Sequence, residues 1–534
     1  VNNILYLCEK PSQARALAKV VGANTQETGA YVGTGVIVTH CRGHMQQLVS
    51  ADFYTGTTKW KLSALPIVPS EWQWEVVPDQ QAQFDNIGMW LNRATSIVIA
   101  TDPDEEGEVI GRQVLKAHRC TKPCSRLWAS ALDQSSLQSA LKRLYPLSST
   151  DSFYRAGMIR RQLDWLFGIN LSRVHSLTYG CTANIGRVKT KLLEELYTNE
   201  KIIGQYEKQF HDVASITIGD DVYKWIPTSS IFPLPLKSGK QSTAGCEFIG
   251  VEMEGACVSS IAEDEFISPP LPFSLSTLLI QTCEEGIPLT QAYAAIQSLY
   301  ERGAISYPRT SSHSMPRAGA GFAAHHAIVA TISECPDYFD EGSHQIFEMI
   351  KLNGVMQSLG STAATKYTTT FNIDGELFTN VTRVVKDEKD AGWLRIEQEA
   401  LSKMKRQPAT YDVDQKVRAN PNIQTLEIPP PRLFTEGALL RLMMEKNIGT
   451  EATRVSAISS LTKDRVATLR NSEFMLTPSG RDLFQKLPAG ISDEMARQIR
   501  DAVAKVRNFE GLDGQLMATT TTWLKTIIQG LAVA

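Results

Sequence analysis

The chain has no surplus of either charge. Its 534 residues carry 54 Lys and Arg against 57 Asp and Glu, a formal net charge of −3. That excludes nucleic-acid binding by bulk positive charge but not by a locally basic groove, because phosphate attraction follows clustered Lys and Arg. Long apolar runs are missing too. The longest, such as Ile4–Cys8 and Ser96–Ala100, fall far short of the ~20 residues that span a bilayer, so no membrane partner is expected. No basic stretch followed by an apolar one stands at the amino terminus, and a secretory leader is not expected. Paired cysteine modules are lacking. Nine cysteines are scattered, and only Cys120 and Cys124, with His118 before them, lie close together. A structural zinc site takes two such pairs, and the second is absent. Nor does the odd set suggest a disulfide scaffold, which fits a reducing compartment. There is no GxxxxGK[ST] phosphate loop, no internal repeat and no low-complexity tail.

What is present reads as a folded, multidomain protein: 43% hydrophobic and 21% charged residues, at a length suited to three or four domains. The first ~150 residues alternate strands and helices. Ile4–Cys8 is a buried-strand run, Ser12 to Val21 has helical spacing, and Ile97–Ala100 runs into an acidic turn before a helix from Glu108 to His118. This wiring predicts a parallel sheet with its chemistry at the strand carboxyl ends. Asp151 to Glu200 is helical. Phe210 to Trp225 and Lys366 to Ile396 alternate as strands, the latter with an Asp374-Gly375 hairpin signal. Ser274 to Tyr300, His325 to Leu352 and Thr435 to Ala534 read as helical. A β domain interrupted by an α domain follows, and the division is 1–150, 151–208 plus 432–534, 209–270 plus 366–431, and 271–365.

Two constellations carry chemistry. Asp102-Pro103-Asp104-Glu105-Glu106-Gly107-Glu108 follows a strand directly. Carboxylates at alternate positions of a tight turn can converge on one hard cation, although acids also favour any helix amino terminus. Glu9 ends the first strand, where a parallel sheet would bring it beside that turn. Acids at neighbouring strand ends repel one another unless a cation compensates, which points to a metal site handling phosphate. Lys10 adds a point charge suited to a phosphate oxygen. The second constellation is Ile305-Ser306-Tyr307-Pro308-Arg309-Thr310-Ser311. Pro308 biases Tyr307 towards extended backbone, and Arg309 can return to the same side. A phenol becomes a nucleophile only where its surroundings stabilise the phenolate, as a guanidinium does. On these residues alone a surface turn with an incidental tyrosine remains open.

Tyr-Pro-Arg-Thr after a helix, Cys8-Glu9-Lys10-Pro11-Ser12, and Asp-x-Asp-x-Glu-Gly-Glu after a strand together resemble the type IA DNA topoisomerases, the topoisomerase III branch most closely. Gly43-His44, Trp72-Gln73-Trp74, Asp164 to Leu171, Ile185-Gly186-Arg187-Val188, His325-His326-Ala327-Ile328 and Gly449 to Arg454 match in the family's order over essentially the full length.

The resemblance implies a multidomain α/β plus α+β fold. An amino-terminal Toprim (Rossmann-like) domain would join helical domains and a β-rich domain in a toroid. It implies an ATP-independent, magnesium-dependent topoisomerase in which Tyr307 attacks a backbone phosphate to form a 5′-phosphotyrosine. A strand then passes and the break is resealed, relaxing negative supercoils or decatenating DNA. Glu9, Asp102, Asp104 and Glu106 would hold Mg2+, with Glu9 also relaying a proton, and Lys10 and Arg309 would stabilise the transferring phosphate. Arg160, Asp164, Arg187, Lys189, His325 and His326 would bind DNA, and Trp72, Trp74 and Trp165 could stack on bases. Implied partners are single-stranded and negatively supercoiled DNA and a helicase or replication protein. The enzyme would be a monomer, cytoplasmic and nucleoid- or plasmid-associated. The chain departs from the family at Glu105, where arginine is usual, and at Ser311, Lys189 and Ala330. Glu105 puts a negative group beside the metal acids, a change expected to weaken phosphate binding or raise the metal demand. The competing readings are a catalytically diverged single-stranded-DNA-binding relative and a Toprim-type nuclease or primase.

Overall fold

The structure is a computed structural model and describes residues 3–227, 247–249, 252–316, 325–387, 391–404, 406–507 and 513–533. The chain divides into two compact units, one of Val1–Thr198, Phe273–Ile350 and Leu433–Ala534, the other of Asn199–Pro272 and Lys351–Arg432.

The first unit is organised on a seven-stranded sheet, in the order Thr25–Glu27, Ala30–Gly33, Val36–His40, Ile4–Cys8, Ser96–Ala100, Cys124–Arg126 and Tyr145–Pro146. The four strands from Val36–His40 to Cys124–Arg126 are parallel, and the pairs outside them antiparallel. The expected parallel sheet is therefore present, with the two expected strands as neighbours. Both its faces are covered, which is why its central strands Ile4–Cys8 and Ser96–Ala100 are, apart from Ser96, apolar on both sides. Tyr6, Cys8, Val98 and Ala100 face Ala14, Leu17 and Ala18 of the helix Pro11–Val21. Leu5, Leu7, Ile97 and Ile99 face Phe84, Ile87 and Trp90 of the helix Gln81–Arg93, with Ile110 and Val114 of the helix Glu105–Ala117. That last helix starts one turn earlier than its spacing predicts, because the Asp104 side chain accepts the Gly107 N–H and caps it.

The long helix Asp151–Tyr179 packs on the helices Glu105–Ala117, Ile491–Arg507 and Asp513–Val533. Two expectations of helix need correction here. Residues 325–340 are irregular, and the helix begins only at Glu341. Their backbone groups bond sideways: the Ile328 N–H donates to Phe273 O, and the Ser306 N–H to Val329 O. The carboxyl-terminal stretch also contains a hairpin, Ala467–Arg470 with Glu473–Leu476, turning at Asn471 and Ser472, which both have positive φ.

The second unit is an antiparallel sheet. Strands on both sides of the helical insertion join it, in the order Gln209–Ile218, Asp221–Trp225, Glu376–Val385, Thr362–Ile373, Met253–Ile267, Lys416–Ile428 and Glu247–Ile249. Gln209–Ile218 also pairs with Lys416–Ile428, so the sheet closes on itself around Ile216, Tyr223, Phe371 and Phe378. The hairpin expected at Asp374-Gly375 is there, with both residues at positive φ. Beyond Val385 the expected strand character ends, and Gly392–Arg395 is a 3-10 turn.

Candidate active site

Register decides the site. Cys8 lies opposite Ala100, so Glu9-Lys10 and Thr101-Asp102 leave adjacent parallel strands side by side. Glu9 and Asp102 are buried. The Asp102 N–H donates to Glu9 Oε2 at 3.2 Å, and Lys10 Nζ stands 3.8 Å from Glu9 Oε1 and 3.5 Å from Asp102 Oδ2. The turn then folds back so tightly that a Cβ at Gly107 would lie 2.1 Å from the Asp102 carbonyl oxygen, which leaves room only for glycine.

The Tyr307 segment comes over these acids. The Tyr307 N–H donates to Ser130 O at 2.7 Å, and its phenol donates to Asp104 Oδ2 at 2.5 Å. Arg309 Nη1 is 3.9 Å from Asp102 Oδ2 and 4.0 Å from Asp104 Oδ2. The Arg309 Nε is buried with no hydrogen-bond partner among the described residues. Tyr307 is 3% exposed, and the rings of Tyr300 and His325 each lie 5.6 Å from its own.

Burial dominates the electrostatics. It pushes the Glu9 carboxyl well above the usual range, with the Asp102 charge adding to it and Lys10 and Arg309 opposing. Asp104 is raised by burial and by Asp102, against Arg309 and the Tyr307 hydroxyl. The Tyr307 phenol is pushed well up by burial and by Asp104 and Asp102, so it needs a base. Burial works against the Lys10 charge but is outweighed by Asp102 and Glu9, and Lys10 stays a cation. His325 is lowered by burial and is neutral near pH 7.

Glu106 is turned elsewhere. It meets His44 Nε2 at 2.7 Å, and Arg161, stacked over Trp74, is 3.6 Å from it. Burial works against its charge, but the hydrogen bond and charge of His44 and the charge of Arg161 prevail and lower its pKa. Among the described residues no three His, Cys, Asp or Glu side chains are arranged as they stand to share one metal ion. The donor chemistry nonetheless suits magnesium. Glu9 and Asp102 are buried oxygen donors, and this ion commonly takes one or two carboxylates and completes its shell with water and phosphate oxygens. Glu9 and Asp102 would hold it as they stand, while Asp104 would have to turn from Tyr307, and Glu106 from His44, to join.

Arg160 and Asp164 sit on one helix but pair away from each other, Arg160 with Glu105 and Asp164 with Arg187 at 3.3 Å. Glu105 also receives Arg507, so the expected negative group beside the acids faces two guanidiniums instead. Arg160 and Arg187 line a cavity of about 380 Å³ with Lys191, Lys446, Arg500 and Arg507. Lys189 is not among those lining it; the side chain is buried, 2.6 Å from Asp464. His326 bonds the Ala327 carbonyl next to it. Trp72 and Trp165 meet edge to face at 5.5 Å and pack on the core.

Sequence reasoning missed Gln13 and Tyr300. The Gln13 side chain accepts the Glu9 N–H at 2.9 Å and donates to Asp102 Oδ1, which also accepts the Tyr300 hydroxyl at 3.3 Å. Gln13 falls in the first turn after Glu9, which is a weak signal; Tyr300 offers none.

A family profile described as DNA topoisomerase matches residues 148–323 and 317–511, and one described as Toprim domain matches residues 4–132. The chain is 25% identical to the DNA topoisomerase 3 of Salmonella typhimurium, over 91% of this chain and 86% of that one. To a DNA topoisomerase 3 of Staphylococcus aureus it is 24% identical, over 92% and 76%. The structure of full-length topoisomerase I from Thermotoga maritima superposes with a TM-score of 0.76 at 17% identity, covering 98% of this chain and 90% of that one, which shows a shared fold. With the profile spanning more than half its length, the chain belongs to the type IA DNA topoisomerases and is topoisomerase III-like.

Proposed function

We propose that the enzyme is a magnesium-dependent, ATP-independent strand-passing topoisomerase whose nucleophile is Tyr307. The observation that carries this reading is the phenol of Tyr307 on Asp104 Oδ2, within reach of two buried acids and two cations. In the forward step the Tyr307 oxygen bonds to phosphorus, and its proton goes to Asp104, whose raised pKa makes it a competent acceptor. The bond from phosphorus to the 3′ oxygen breaks, and Glu9, whose carboxyl burial pushes upward, is placed to relay a proton to that oxygen. Lys10 and Arg309 neutralise the charge on the transferring phosphate, and the unpartnered Arg309 Nε is a donor free for a phosphate oxygen. A bound magnesium ion would add Lewis-acid charge stabilisation at the same phosphate. The phosphotyrosine conserves the phosphodiester energy, so resealing needs no ATP.

Because Tyr307 is 3% exposed, the segment around it has to part from the acids before a strand can enter. Single-stranded regions of negatively supercoiled DNA are the substrates that chemistry fits. The assignment of His325 and His326 to DNA, the four-domain division, a monomeric state, a helicase partner and a cytoplasmic, nucleoid-associated location extend the same reading. No helix among the described residues is long and apolar enough to cross a membrane.

The test is relaxation of a negatively supercoiled plasmid with and without magnesium, with Tyr307→Phe as control. Relaxed, covalently closed product that requires both magnesium and the phenol supports strand passage. Nicked or linear product would indicate a nuclease, and tight single-strand binding without relaxation a diverged binder.

A further inference from the structure

Glu105 opens the helix Glu105–Ala117 between two of the acids assigned to metal, yet its carboxylate belongs to a different neighbourhood. One oxygen accepts from Arg160 and the other from Arg507. The contact rests on close packing. At Gly157 the helix Asp151–Tyr179 approaches so near that a Cβ would lie 2.6 Å from Val109 Cγ2 and 2.9 Å from Glu105 O, and Arg160 is one turn further on. The Glu105 side chain is 12% exposed, against 53% for Arg507. Both arginines also line the basic cavity, whose lining among the described residues holds six cations and one carboxylate, Asp493. Arg500 there makes no ion pair among the described residues. Glu105 does not line the cavity; it takes up two of its cations from the side of the acids.

We propose that Glu105 is an internal competitor for strand phosphate, holding Arg160 and Arg507 until DNA displaces it and so weakening single-strand binding beside Tyr307. Carboxylate and phosphate oxygens both accept charge-assisted hydrogen bonds from a guanidinium, so the two are alternative occupants of these arginines. An entering phosphate has to break two ion pairs and leaves the Glu105 charge beside it, and both effects oppose binding. An uncharged side chain at this position removes both. The inference rests on the reading that a DNA strand passes this cavity on its way to Tyr307.

The experiment is binding of a fluorescent oligothymidylate of about 15 nucleotides to the full chain, without divalent cation, over a range of NaCl. The parent, Glu105→Gln, Arg507→Gln and the double variant are compared, and thermal melts confirm folding. Glu105→Gln is expected to bind about 3- to 10-fold tighter at low salt, with a salt slope steeper by about 0.7 to 1.4, the increment for one or two phosphates on a single strand. Arg507→Gln should cost less than about twofold in the parent but several-fold in the Glu105→Gln background. Unchanged or weaker binding by a folded Glu105→Gln would overturn the proposal. If that variant does not fold, a tenfold loss from Arg507→Gln alone does so. A parent that binds no oligothymidylate removes the underlying reading, and the proposal with it, an outcome visible before any variant is compared.

Discussion

The phenol of Tyr307 donates a 2.5 Å hydrogen bond to Oδ2 of Asp104, while Oδ1 of the same carboxylate accepts the Gly107 N–H at 2.7 Å. One side chain thus caps a helix and faces the nucleophile, so the backbone itself aims the base. Asp104→Asn keeps the cap but cannot take the phenol proton. Single-turnover cleavage of a single-stranded oligonucleotide should slow by about 10²- to 10⁴-fold, the usual range for a lost general base. A rate equal to the parent's would remove Asp104 from proton transfer.

Gln13 holds the Glu9 backbone and the Asp102 carboxylate together. Gln13→Ala leaves the buried Glu9 N–H unpartnered and takes one donor from Asp102, at a cost of about 1–3 kcal/mol of stability. Cleavage should drop by about tenfold and recover in part at higher magnesium, since the ion can then take over part of the orienting of Asp102. A variant as stable and active as the parent would show that Gln13 is a bystander.

The raised carboxyls of Glu9 and Asp104 set a pH dependence with a definite sign. A carboxyl with a folded pKa above its unfolded value of about 4 contributes stability that is complete below pH 4 and lost as pH rises through the folded value. In EDTA the chain should therefore lose melting temperature between mildly acidic and neutral pH. Magnesium, which displaces those protons, should restore more at pH 8 than at pH 5.5. Melts in both conditions check this; a magnesium shift that is flat with pH, or larger in acid, contradicts it.

How much of this was legible in the sequence follows from distance along the chain. The strand run Ile4–Cys8 and the strand ending at Ala100 announce themselves by composition, and parallel pairing then brings Glu9 to Asp102. Tyr307 and Arg309 stand in one short motif. The partners that fix these residues were not legible. Gln13 meets Asp102 across 89 positions, Tyr300 meets it across 198, and Arg507 reaches Glu105 across 402. Glu105 shows the consequence: composition places its charge among the acids, whereas helix packing turns it to Arg160 and Arg507. The irregular stretch 325–340 misled for a related reason, because its hydrogen-bond partners lie on the Tyr307 segment and near Phe273 rather than along itself.

Gly107 is a steric requirement of the acidic turn. In Gly107→Ala the new methyl would overlap the Asp102 carbonyl oxygen at 2.1 Å, and the turn would have to open. Overpacking of this kind costs about 1–3 kcal/mol. Here it would also displace Asp104 from Tyr307, so activity should fall further than the melting temperature suggests. Activity that simply tracks the folded fraction would contradict a geometric role for the turn.

The central claim is that Tyr307 becomes covalently joined to the 5′ side of a DNA break. The direct measurement is adduct formation on a single-stranded oligonucleotide, run with the label at its 3′ end and again with it at its 5′ end, then denatured. The account predicts that the 3′ label stays on the protein, that the 5′ label leaves on a fragment with a free 3′-hydroxyl, and that Tyr307→Phe forms no adduct. An adduct that survives in Tyr307→Phe, or one that retains the 5′ label, would contradict it.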